Sequence, residues 1–323
     1  MKRISFYDLL PCIALAVLVL VFSITSQGKL LTAFNLKSIF TQSVPVVIGG
    51  LGVLFVVATG STDLSVGGVA AVSATVGAYY GSQYGVGVML VISLLIGLAC
   101  GAFLGAVISR FHVSSFMASL AMLIGLRGFL NVLLVTWKQV YIPKSLTALN
   151  SFAGNTLLLV VLIIVFAYLL EFTSFGYYCK GMGENENTMK SIGVNTTKVR
   201  HISYILSGLT AAIMGLVLIS SVGGSSSTIG QTMEMKIQMA IFLGGVLVTG
   251  GMKSKLYKLV LGSLSITVIV NGLTISGADG ATSEAVEGIL LMLILFLTLR
   301  MSKRQKKPPV ESQQPEMPTT VTE

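Results

Sequence analysis

The side chains best able to do chemistry in this sequence are few and stand far apart. The three cysteines, Cys12, Cys100 and Cys179, form no C-x-x-C pair, so they predict neither a metal site nor a disulfide framework. The two histidines, His112 and His201, are also isolated, and each falls near the predicted end of an apolar segment. We interpret both as interfacial residues, and we predict no catalytic, metal-binding or cofactor-binding residue.

Nucleotide chemistry is not predicted either. The segment TGGMKSK at 249–255 contains glycines and lysines, but it lacks the G-x-x-x-x-G-K-[ST] spacing that cradles phosphates. The sequence also lacks the H-E-x-x-H and G-x-S-x-G motifs of metalloproteases and serine hydrolases. We therefore expect a chain that is not an enzyme and does not itself hydrolyse ATP.

Composition identifies the class of protein in which these residues lie. Hydrophobic residues make up 54% of the 323 residues and charged residues only 10%, whereas soluble domains contain about 25% charged residues. Because every backbone polar group in lipid must be satisfied within the protein, long apolar runs predict helices. We expect an all-α integral membrane protein, a polytopic helical bundle of about ten transmembrane helices, some broken or re-entrant.

The apolar runs have the roughly 17–25 residues that a membrane-crossing helix needs. They lie near 9–26, 42–59, 64–80, 86–108, 115–136, 155–171, 200–222, 236–251, 256–274 and 284–299. The second and third runs are so close that one broken helix plus a half-helix is an alternative. Residues 1–300 then form a transmembrane domain, and the Pro- and Ser-rich residues 301–323 form a disordered tail with a basic part at the lipid surface.

The basic residues predict the orientation. One side of the ten-helix arrangement collects Lys2 and Arg3, Arg110, the Lys180–Arg200 loop, the Lys253/Lys255/Lys258 cluster and the Arg300–Lys307 run. The other side has Lys29, Lys37, Lys138 and Lys144, with Lys236 near a helix entrance. By the positive-inside rule, both termini are cytoplasmic, in a bacterial plasma (inner) membrane. The net charge of +9 is spread over separate loops without interleaved aromatics, so no nucleic-acid partner is predicted.

Charged residues are scarce inside the runs. Asp63 is predicted at a cytoplasmic helix junction, and Glu284 and Glu287 lie near the start of the last helix. Arg127 stands about twelve residues into the fifth run, where it either pairs with a carboxylate or interrupted-helix carbonyls, or lines a polar solute path. The sequence therefore offers few residues that could couple transport to an ion gradient. A carrier driven by such a gradient is the alternative function.

Two polar interruptions separate the apolar runs. In the junction VVATGSTDLSVGG at 56–68, Asp63 or Ser61 can cap the following helix by accepting backbone N–H groups. Its candidate site residues are Thr59, Gly60, Asp63, Ser65 and Gly67. The second interruption, about 172–200, is longer than a connector between two helices requires. Its length predicts a surface that another protein binds.

The ordered set of segments resembles the ribose-type permeases, the membrane subunits of ATP-binding-cassette importers for simple sugars. TGSTDLSVG at 59–67 is similar to their T-G-G-I-D-L-S-V-G signature, and SRFHVSSFMASLAMLIGLRGF at 109–129 is similar to a stretch with P-F-I-A-T-L and a later R-G. The segment 174–218 is similar to their F-G-R…S-G-I-N-V…Y-x-L-S-G-L-x-A-A-x-A-G stretch. The sequence departs from the pattern most at 244–264, and the departures concern the solute rather than the architecture.

The resemblance implies an importer subunit with several partners. These are a cytoplasmic ATPase subunit that uses ATP, an extracytoplasmic solute-binding protein, and a second permease copy or a relative. The implied solute is a simple sugar, and a nucleoside, polyol or furanose signal is the alternative for the same scaffold. Phe116 and Arg127 join the junction residues as candidates for the translocation path.

The 174–200 interruption is the predicted ATPase-coupling loop, with a short helix from Gly183 to Gly193 held between glycine ends. The candidate coupling residues are Gly183, Glu184, Asn185, Glu186, Asn187, Met189, Ile192 and Gly193.

Overall fold

The computed structural model describes residues 6–143 and 151–305, and across those residues the chain forms eleven α-helices. Their bounds are α1 Phe6–Thr25, α2 Ala33–Ala58, α3 Val66–Tyr84, α4 Val86–Phe111, α5 Ser115–Trp137, α6 Phe152–Phe172, α7 Ser174–Ser191, α8 Thr196–Val222, α9 Met233–Leu243, α10 Leu256–Ile275 and α11 Gly280–Gln305. Within the described ranges, extended pairing is limited to one isolated bridge between Tyr141 and Gly224. The all-helical prediction is confirmed.

Helix α2 is the centre of the bundle. Every residue from 43 to 59 is buried, which is the pattern of a helix that is apolar on all sides. The GGLG run at 49–52 lets three neighbours approach. Gly49 faces Met214 of α8 and Ile237 of α9, and Gly50 faces Leu259 of α10. The glycines in this run are therefore packing positions, not turns.

Helices α4 and α8 pack backbone against backbone. Gly97, Gly101 and Gly105 recur every fourth residue along α4 and form one small-residue stripe. A Cβ on Gly101 would overlap the carbonyl oxygen of Tyr204, and a Cβ on Gly97 would overlap that of Gly208. The stripe fixes the distance between the two helices.

Six of the described helices are long and apolar enough to cross a membrane: α2, α4, α5, α6, α8 and α10. The count of about ten is thus not confirmed. The predicted run 236–251 differs most, because α9 is only 11 residues long and spans about 16 Å of the roughly 30 Å hydrocarbon core. The chain then turns at Gly245, Gly250 and Gly251, all with positive φ.

Several predictions concern residues outside the described ranges. Lys2 and Arg3 precede α1, and Lys144 lies in the undescribed 144–150 segment. Helix α11 continues to Gln305, so the first five residues of the predicted tail, 301–305, are helical. The tail from 306 onward is not described.

The α4–α8 contact yields a matched pair of substitutions. We expect Gly101→Ala to destabilise the bundle by about 1–3 kcal/mol, because the added methyl group meets the α8 backbone. Gly87→Ala on the same helix adds a methyl group in open space, and it should be neutral or slightly stabilising. Thermal unfolding of the purified protein in one detergent measures both. Equal transition temperatures for the two variants would contradict the close packing.

Candidate functional site

The junction between α2 and α3 occupies residues 59–65. Helix α2 ends at Ala58, where the Thr59 hydroxyl donates to the Val56 carbonyl over 2.7 Å, and Gly60 follows with φ +76°. Thr59 and Gly60, two of the candidate site residues, thus directly follow the end of α2. Seven residues therefore separate α2 from α3.

Asp63 organises the junction. Its Oδ1 accepts the backbone N–H of Ser65 at 2.8 Å and the Ser65 hydroxyl at 2.7 Å, immediately before α3 begins. Its Oδ2 accepts the Ser207 hydroxyl of α8 at 2.6 Å. The side chain amide of Gln238 in α9 donates to the Asp63 carbonyl at 3.1 Å. Asp63 is 3% exposed, so its carboxylate lies inside the protein, whereas Gly60 at the start of the junction is exposed.

Two further hydrogen bonds tie the junction to its neighbours. The buried Tyr204 of α8 donates its hydroxyl to the Thr62 carbonyl at 2.8 Å. The Thr62 N–H donates to the Ser115 hydroxyl at the start of α5 at 3.2 Å. The junction is thus held by α5, α8 and α9 together, and a movement of one of these helices changes its hydrogen bonds.

The polar interruption after α6 is helical for most of its length. Helix α7 runs from Ser174 to Ser191 and kinks at Asn185, whose φ of −159° and ψ of 104° are not helical. The Asn185 Oδ1 accepts the N–H of Thr188 at 3.1 Å and so caps the second helical segment. The predicted start at Gly183 is therefore wrong, because Gly183 lies inside the first segment.

Gly183 lies where the backbones of α7, the end of α2 and the 250–251 turn come together, and a larger residue would not fit there. A Cβ there would overlap the Ala58 carbonyl oxygen of α2 and the Gly251 nitrogen. The Gly251 N–H also donates to the Ala58 carbonyl at 3.2 Å. We call this meeting of Ala58, Gly183 and Gly251 the three-backbone contact. It joins α7 directly to the end of the central helix and to the segment that resembles, but is not, a phosphate loop.

A side chain reinforces the three-backbone contact. Glu184 accepts the Met252 N–H at 2.8 Å, and its carboxylate lies against Gly251. The sequence offered one signal for this contact, the consecutive glycines at 250 and 251, whose positive φ suits a close approach. It offered no signal that their partner is α7.

The remaining coupling candidates lie beyond the kink. Met189 packs its sulfur over Gly181, Ile192 is 67% exposed, and Gly193 follows the helix with φ +85°. Asn187 is exposed. This second segment thus presents an exposed surface and holds itself against the first segment through Met189.

Glu186 forms ion pairs with Lys190 at 3.0 Å and with Arg200 of α8. Burial acts to raise the pKa of the Glu186 carboxyl, but the hydrogen bonds and charges of Arg200 and Lys190 outweigh it and lower the pKa to about 2. The pair with Arg200 connects the exposed part of α7 to the first turns of α8.

The two path candidates on α5 lie apart from the junction hydrogen bonds. Arg127 donates to the carbonyls of Ile229 at 2.7 Å and of Gly230, so it binds backbone carbonyls, one of its predicted alternatives. Glu234 stands beside it. Phe116 is 53% exposed near the start of α5.

Sequence reasoning missed Glu234. Its carboxylate packs against Gly67 of the junction motif, so Gly67 links the junction to the Arg127 region. The available signal was an acidic residue at the start of an apolar run. Across the residues that the structure describes, no cluster of three His, Cys, Asp or Glu side chains could hold a metal ion.

Comparison with known proteins identifies the family. The family of permease components of branched-chain amino acid transport systems matches residues 35–295. The ribose import permease of Bacillus subtilis (strain 168) is 29% identical over 316 residues, covering 93% of this chain and 97% of the relative. The galactofuranose transporter permease of Escherichia coli (strain K12) is 28% identical over 269 residues, covering 80% and 78%. The fructose import permease of Rhizobium meliloti is 27% identical over 302 residues, covering 89% and 84%.

No solved structure matches the chain at a significant level. The chain belongs to this permease family of ABC transporters, and it is a multi-pass membrane protein. The predicted resemblance to ribose-type permeases is confirmed.

The Glu186 ion pairs yield a pH-dependent prediction. We expect Glu186→Gln to lower the local stability of the last turns of α7 by about 0.5–1 kcal/mol at pH 7, because partly exposed ion pairs contribute little more. The unfolded pKa is near 4.5 and the folded one is about 2. The wild-type advantage is therefore complete above pH 4.5 and is lost as the pH falls towards 2.

Hydrogen exchange of the amides at 188–191 measures this difference. Asn187→Ala serves as the control, because Asn187 is an exposed neighbour of Glu186 whose side chain forms no ion pair. Equal protection of wild type and Glu186→Gln at pH 7 would show that the ion pairs do not stabilise α7.

Proposed function

We propose that this chain is the membrane-spanning permease subunit of an ATP-binding-cassette importer that moves a simple sugar across the bacterial inner membrane. The observation that carries the proposal is the near full-length match to the ribose permease of Bacillus subtilis. The ribose, fructose and galactofuranose permeases are named for sugars with many hydroxyl groups, and the solute proposed here belongs to the same chemical class.

A separate subunit supplies the ATP hydrolysis in this proposal. The segment 249–255 was the sequence stretch nearest to a phosphate loop, and its glycine backbone packs against Ala58 and Gly183. A loop whose backbone is engaged by two helices has no free cradle of N–H groups for a phosphate. This argues that nucleotide binding belongs to the ATPase partner.

Helix α7 is the proposed ATPase contact. Its second segment is exposed, and the three-backbone contact joins its first segment to the end of α2. A displacement of α7 by the ATPase would displace Ala58, the residue directly before the 59–65 junction. The Asp63 hydrogen bonds would then carry it to α8 and α9.

The orientation has both termini in the cytoplasm. Glu184 of α7 binds Met252, so the basic residues of the 180–200 segment and those at 253–258 lie at the same end of the bundle. A shared basic end is the expected cytoplasmic face. The solute-binding protein docks at the opposite end, and a second permease copy completes the path for the solute.

A self-sufficient carrier or channel is the alternative function. Among the described buried charged residues, Glu234 has an unpaired carboxylate oxygen, but Asp63 accepts hydrogen bonds from Ser65 and Ser207, and Arg127 is held by two carbonyls. Groups occupied in this way are poorly placed to bind a coupling ion. A nucleoside, a polyol or a signalling furanose remains the alternative solute for the importer.

The purified chain alone should neither hydrolyse ATP nor accumulate D-ribose, D-fructose or D-galactose in liposomes. The complex isolated with its partners from native membranes should hydrolyse ATP and accumulate one of these sugars when the binding protein is present. ATPase activity and uptake of labelled sugar are measured on both preparations. Concentrative uptake by the chain alone would support the carrier and overturn the proposal.

Met189→Pro tests the coupling role of α7. Proline at this position removes a helical N–H and costs about 3 kcal/mol in the second segment, while the membrane helices keep their own packing. We expect normal membrane levels, loss of sugar uptake and weaker co-purification with the ATPase. Gly193→Val should act similarly, because a β-branched residue resists the φ of +85°.

Met189→Leu is the matched control, since it conserves volume and the helix. It should transport at close to the parental rate. Parental uptake by both Met189→Pro and Gly193→Val would exclude α7 as the coupling element.

A further inference from the structure

A polar groove lies between the middle of α5 and the segment that leads into α9. The groove is open on one side and has a volume of about 410 Å³. Six of its eight lining residues are polar. The lining residues are Leu123, Ile124, Arg127, Asn131, Ser227, Thr228, Gln231 and Glu234.

Two opposite charges form the inner part of the groove. Arg127 is held by the carbonyls of Ile229 and Gly230, and Glu234 is 7% exposed. The carboxylate of Glu234 lies against Gly67 at the N-terminus of α3, where the helix dipole stabilises a negative charge. The formal charges of Arg127 and Glu234 cancel, so the groove favours neither an anion nor a cation.

One polar atom in this region has no hydrogen-bond partner. Glu234 Oε2 is buried and unpaired among the residues that the structure describes. An unsatisfied buried carboxylate oxygen costs free energy unless something donates to it. Because this oxygen is fully buried against Gly67, a donor reaches it only when the start of α3 and α9 move apart.

The outer part of the groove consists of exposed amides and hydroxyls. Asn131 stands one turn after Arg127 on α5, and Thr228 and Gln231 face it from the α9 approach. Phe129 and Val132, which point in other directions around α5, are large, apolar and exposed. Polar groups facing hydrocarbon are costly, so the Asn131 side of α5 faces water or a second protein surface, not lipid.

We infer that this groove is the subsite through which the chain binds a neutral polyhydroxylated solute during transport. The inference rests on the proposed function and specifies residues for it. Each hydroxyl of such a solute both donates and accepts, which matches the amides of Asn131 and Gln231 and the carboxylate of Glu234. No aromatic side chain stands among the lining residues, so the groove lacks a stacking platform. Weak binding of this kind suits a solute in transit.

Two exposed side chains provide variants that do not disturb the fold. In the intact transporter with its partners, Asn131→Ala and Gln231→Ala should each raise the KM for sugar uptake about 3- to 10-fold, the loss of one hydrogen bond. The maximal rate should stay within about twofold, because only ground-state binding changes. Gln83→Ala, an exposed amide at the end of α3 outside the groove, should leave both constants unchanged. Unchanged KM values for both groove variants would overturn the assignment.

Competition tests the neutral class of the solute. With labelled D-ribose, D-fructose or D-galactose as the transported probe, the unlabelled sugar should inhibit uptake more strongly than D-ribose 5-phosphate does. Stronger inhibition by the phosphate would overturn the neutral assignment.

Cysteine labelling tests the groove without transport. In a variant with Cys12, Cys100 and Cys179 changed to Ser, Gln231→Cys should react with a water-soluble thiosulfonate roughly tenfold faster than Val132→Cys, because the thiolate forms in water. An excess of the transported sugar should slow labelling of Gln231→Cys only. Equal rates at the two positions would overturn the groove. If labelling is rapid and protected by sugar but the chain has no ATPase partner, the solute subsite is supported and the proposed importer function is contradicted.

Discussion

Direct contact between glycine backbones is the constraint on which this bundle depends. Lipid provides no hydrophobic force that drives apolar helices together, so packing must come from close van der Waals contact and from hydrogen bonds. The central helix α2 is buried over residues 43–59, and the stripe of Gly97, Gly101 and Gly105 brings α4 against α8. Such contacts leave no room for gradual deformation, so movement must take the form of helices shifting as rigid bodies.

The same constraint explains how a surface helix can influence the interior. Gly183 of α7 reaches the Ala58 carbonyl only because it has no side chain, and Gly251 completes the contact. Ala58 is the last residue of α2, directly before the junction that Asp63 organises. The chain therefore contains a continuous path of contacts from an exposed helix to a buried carboxylate.

The path continues towards the polar groove. Gly67 lies four residues after Asp63, and the carboxylate of Glu234 packs against it. A shift of the junction would move Gly67 and so change the position of Glu234 beside Arg127. The start of α3 would then move both when the ATPase displaces α7 and when the solute binds in the groove. Neither set of residues needs to be close to the other for this to occur.

Composition and apolar run length alone determined the class of protein, because satisfying backbone groups in lipid leaves few alternatives to helices. The ordered motifs determined the family, and Asp63 was recognisable as a junction residue from local spacing. Tertiary structure decided what depends on residues distant along the chain. Gly183 contacts Gly251 instead of beginning a short helix, α9 is a short helix because glycines turn the chain after it, and Glu234 contacts Gly67. Sequence periodicity reports the environment of a residue within its own helix, whereas these contacts join residues about 70 to 170 positions apart, which only packing brings together.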